Sequence, residues 1–74
     1  MTHYTVTNLL TADRQIDEGE QQVVHQEMII SSLHASGKPT ETAERLLCQF
    51  LKSLTLYHEH RTTIVTALKE SGQL

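Results

Sequence analysis

Apolar side chains recur three or four residues apart along most of the chain, and the recurrence breaks only once. Projected at about 100° per residue, Ala12, Ile16, Gly19, Val23, Gln26, Ile30 and Leu33 fall on one stripe. After the break, Ala43, Leu46, Leu47, Phe50, Leu54, Tyr57, Arg61, Ile64, Val65 and Leu68 form a second, wider stripe. Both have the spacing of amphipathic helices. The break is "SGKPT", Ser36 to Thr40. Gly37 can take the left-handed conformation that ends a helix, Pro39 pushes Lys38 out of helical geometry, and Thr40 suits an N-cap. No capping box completes that start, because the residue three further on is Ala43.

The pattern therefore predicts an all-α chain, an antiparallel two-helix hairpin spanning 9–71. Helix one runs over about 9–36, a turn over 37–40, and helix two over about 41–70, stopping near Gly72. Asn8 or Thr11 caps the first helix, and residues 1–8 form a flexible arm. Folding back at the turn pairs residues whose numbers sum to about 77, given equal rise on both helices. Gly19 then lies level with Tyr57 and His58, and Ile16 with Arg61. A glycine costs about 1 kcal/mol inside a helix, so Gly19 is expected to make room for Tyr57.

Two rods cannot hide all of this apolar surface. Val24, Met28 and Ala35 project to the far side of helix one, and Ile29 also lies off the stripe. Groups on two faces call for two partners, and the least elaborate solution is a homodimer of hairpins forming a four-helix bundle. A heterologous protein partner is the alternative.

Composition narrows the classes. Of 74 residues only Tyr4, Phe50 and Tyr57 are aromatic, which suits long helices better than a sheet. No apolar run approaches the ~18 residues of a membrane span, and the start "MTHYTVTNLL" lacks the basic and long apolar segments of a secretory signal. A single cysteine, Cys48, fits a reducing compartment, and the expected location is cytoplasmic. The net charge of −3 makes nucleic acid an unlikely main partner. Acidic residues dominate the first half and basic ones slightly outnumber them in the second, a bias that suits packing of one helix on the other.

The stretch "LYHEHR" is the best candidate for chemistry. His58 and His60 stand about 200° apart around a helix, so they cannot grip one metal ion. The H-E-x-x-H motif fails because Thr62 stands where the second histidine belongs. Cys48 projects away from the apolar stripe with no histidine one turn away. No catalytic, cofactor-binding or metal-binding residue is expected, and no cofactor. Arg61 sits at the centre of the second stripe and needs a partner or a route to water. Asp13, Asp17 and Glu20 are in reach, with Glu20 the first choice. The expectation is a polar cluster of Glu20, Tyr57, His58 and Arg61 that sets register, as a buried polar residue does in coiled coils. Gln26 is expected to do the same nearer the turn.

The combined spacing of "GE" at 19 and 20, Gln26, Leu33, Gly37, Thr40, "AE" at 43 and 44, "LL" at 46 and 47, Phe50, Leu54 and "HR" at 60 and 61 resembles a group of short proteobacterial helical-hairpin proteins. The likeness covers roughly residues 16 to 68. It implies a helical hairpin with no assigned reaction and carries over no catalytic residue. This chain departs from the group at Tyr57, where histidine is common, and at Val24 and Met28.

The functional expectation is a non-enzymatic interaction or regulatory module that self-associates through Val24, Met28, Gln26, Glu20, Tyr57, His58 and Arg61. The alternative is a ligand-sensing or nucleic-acid-associated accessory protein that uses the Tyr57, His58 and Arg61 cluster.

Overall fold

A computed structural model of the chain describes residues 3–74. Two α-helices, α1 (Val6–Ala35) and α2 (Glu41–Glu70), pack side by side, with no strand among the described residues. Cross-helix contacts run in reverse order, Asp13 to Arg61, Glu20 to His58 and Gln26 to Ala43, so the pair is antiparallel. The register agrees with the turn-based expectation, since Gly19 meets Tyr57.

The start of α1 differs from expectation. The helix begins at Val6, not at residue 9, and neither Asn8 nor Thr11 is its N-cap residue. Thr5 is the N-cap: its extended backbone turns its hydroxyl to accept from the Asn8 N–H at 3.4 Å. The Asn8 side chain returns the bond by accepting from the Thr5 N–H at 2.8 Å. Two otherwise unpaired backbone donors are satisfied reciprocally. Thr11, one turn inside, donates its hydroxyl to the Thr7 carbonyl. Of the expected arm over 1–8, Met1 and Thr2 lie outside the described residues, and Val6 to Asn8 are helical. Tyr4 packs on the core and meets His60 edge-on, with ring centroids 5.9 Å apart.

The turn follows from Gly37, whose φ of 69° opens the left-handed region. The Lys38 N–H then donates to the Leu33 carbonyl at 2.9 Å and the Gly37 N–H to His34 at 3.1 Å, the paired bonds of a Schellman motif. α2 ends in the same way, with Gln73 donating to Leu68 and Gly72 to Lys69. Thr40 occupies the N-cap position of α2 but its hydroxyl makes no capping bond. Its backbone is near-helical (φ −111°, ψ −3°) rather than extended, so its hydroxyl lacks the approach that Thr5 has. Glu41 and Glu44 put negative charge in the first turn instead, which the helix dipole favours.

Every α1 stripe residue, Ala12 through Leu33, is buried or half-buried. In α2 the stripe holds except at Leu46, which is 40% exposed. Leu46 projects to the edge of the stripe, where a third helix would be needed to cover it. Among the described residues only Ala12, Ile64 and Leu68 are buried apolar side chains, and they cluster at the open end beneath Tyr4 and Leu9. Toward the turn, Leu33, Leu47 and Phe50 remain half-buried.

Candidate interaction surface

Gln26 is the buried polar residue of the seam, 4% exposed. Its side-chain amide donates to the Ala43 carbonyl at 2.9 Å. That carbonyl sits in the first turn of α2, and a carbonyl oxygen has a second lone pair to offer. Because a buried amide must find its partner, this bond ties one α1 position to one α2 position. No buried side-chain polar atom lacks a partner among the described residues.

Gly19 is buried against α2. A Cβ there would stand 3.1 Å from Leu54 Cδ1 and 3.5 Å from the Tyr57 ring. The expected neighbour Tyr57 is present, and Leu54 is the tighter of the two. Glycine at this point lets the helices approach.

The proposed polar cluster divides. Arg61 pairs with Asp13, not with Glu20: its Nε donates to Asp13 Oδ1. Both side chains are more than two-fifths exposed, so the pair contributes about 0.2–1 kcal/mol. Glu20 stands more than a turn further along α1 than the level of Arg61, and lies 4.0 Å from His58. Tyr57 turns to Gly19. Arg61, His58 and Tyr57 thus face three different α1 residues.

Val24 and Met28 are 58% and 64% exposed. They line open hollows on the outer side of α1, together with Asp17, Glu20, Gln21 and His25 in one and Glu27, Ser31 and Ser32 in the next. Side chains of one helix alone form these hollows, so they are shallow. Other large apolar side chains, Leu10, Ile29, Leu46, Leu51 and Leu56 among them, are also exposed. The sequence pattern did not single out Leu10, Leu51 or Leu56, which lie outside both apolar stripes. Cys48 is exposed. No group of three His, Cys, Asp or Glu side chains among the described residues is placed to hold a metal ion, and no helix among them is long and apolar enough to cross a membrane. No protein family matches the chain, nor does any curated protein or solved structure.

Proposed function

We propose that this chain is a non-enzymatic helical interaction module of the cytoplasm whose hairpin self-associates into a four-helix bundle. The observation that supports it is an excess of surface. The chain exposes 5618 Å², whereas a compact monomer of its 8.4 kDa exposes about 4,600 Å². The surplus of about 1,000 Å² matches the ~800 Å² per partner that a standard interface buries. Its dimensions agree. The radius of gyration is 16.7 Å, against about 11 Å for a globular chain of this length. A second hairpin laid alongside would thicken the narrow directions, 17 and 12 Å, without lengthening the 55 Å axis.

The ligand-sensing and nucleic-acid alternatives draw no support from Tyr57, His58 and Arg61, since each is engaged with a different α1 neighbour. The test of self-association is thermal unfolding followed over a hundredfold range of protein concentration. A dimer that unfolds to two chains gains about 1.4 kcal/mol for each tenfold rise, so the midpoint climbs. A midpoint independent of concentration, with full helicity, contradicts the proposal.

A further inference from the structure

Two cross-helix contacts, Asp13 with Arg61 and Glu20 with His58, mark one lateral face of the hairpin. On the opposite lateral face the helical projection places Gln15, Gln22 and Ile29 of α1 beside Leu46, Gln49 and Ser53 of α2. None of the six Lys and Arg or nine Asp and Glu residues falls inside that strip. Glu18 stands at its α1 margin, and His60 is its one titratable side chain. We infer that a second copy of this chain docks on this uncharged face, rather than on the Val24 and Met28 side of α1.

Three observations point there. Depletion of charge is the compositional mark of an interface core, and here it is confined to one face of a chain otherwise rich in charge. That face is also incompletely covered: Ile29 is 36% and Leu46 40% exposed, and Phe50 and Leu33 beneath them are half-buried. At the open end the chain covers the same face itself, because Tyr4 lies against His60. The uncovered part runs from there to the turn.

Symmetry selects a second copy as the occupant. In a two-fold dimer each patch meets itself, so a patch of one charge sign repels its own copy. The outer side of α1 has that defect, with Asp17 and Glu20 beside Val24 and Met28. The uncharged face does not, and its glutamines and Ser53 can exchange hydrogen bonds across a two-fold axis.

This assignment rests on the self-association proposed above, and charge insertion separates the two. The probes are the double variant Gln22→Glu with Gln49→Glu, and Met28→Glu on the outer side of α1. All three positions are exposed in the lone hairpin and accept glutamate as a helix former, which circular dichroism checks. Dissociation constants come from sedimentation equilibrium. The expected result is a dimeric wild type, a Met28→Glu variant within about threefold of it, and a double variant weakened at least about tenfold at unchanged helicity. A dimeric wild type that only Met28→Glu dissociates would overturn the face assignment and leave self-association standing. A wild type monomeric at every concentration would overturn both.

Discussion

Gly19 lies so close to α2 that any larger side chain must displace Leu54 or Tyr57. Alanine there gains about 1 kcal/mol of helix propensity but sets a methyl group 3.1 Å from Leu54 Cδ1. The two effects oppose each other, so Gly19→Ala is predicted to shift stability by less than about 0.5 kcal/mol. Gly19→Leu has no such balance and is predicted to cost about 1–3 kcal/mol. Urea unfolding of both variants measures the difference. A Gly19→Leu protein as stable as wild type would mean that the helices do not approach here. The glycine and its neighbour Tyr57 were legible in the sequence, because a break in an apolar stripe opposite a bulky residue has a simple steric meaning. The partner of Arg61 was not. Asp13, Asp17 and Glu20 all project toward the same edge, and only the level of each carboxylate along the helix decides between them.

At the scale of the helices, signals that fix backbone geometry read directly from sequence. Gly37 and Pro39 set the turn, and Gly72 repeats the stop at the end of α2. The beginning of α1 was harder. Thr5 and Asn8 cap it through a box that ends in asparagine rather than the usual glutamate or glutamine, and "TVTN" reads locally as a loose, β-branched stretch. Thr5→Ala is predicted to lose about 0.5–2 kcal/mol and to free the first-turn amides for hydrogen exchange. Protection starting at the same residue in both proteins would deny Thr5 this role. The cap also sets where Tyr4 lies, since it fixes the angle at which the chain enters α1. Loss of the cap is therefore felt at the Ala12, Ile64 and Leu68 cluster that Tyr4 covers.

For the whole molecule, the apolar pattern foretold a two-helix hairpin, and the structure shows that hairpin with large apolar side chains exposed on it. Val24, Met28 and Ile29 are exposed, as their positions off the stripe imply. Leu46, assigned to the stripe, is exposed as well, because a periodic pattern records the direction of a side chain and not whether a neighbour stands there. The absence of charge on one lateral face was invisible to either stripe taken alone. It emerges only when the cross-helix pairs show which edge of α1 lies beside which edge of α2. Self-association is tested most directly by the molar mass of the chain in solution, measured by sedimentation equilibrium at micromolar concentrations. It predicts twice the single-chain mass of 8.4 kDa, with dissociation only on dilution. A well-folded hairpin that keeps the single-chain mass at every concentration would contradict it.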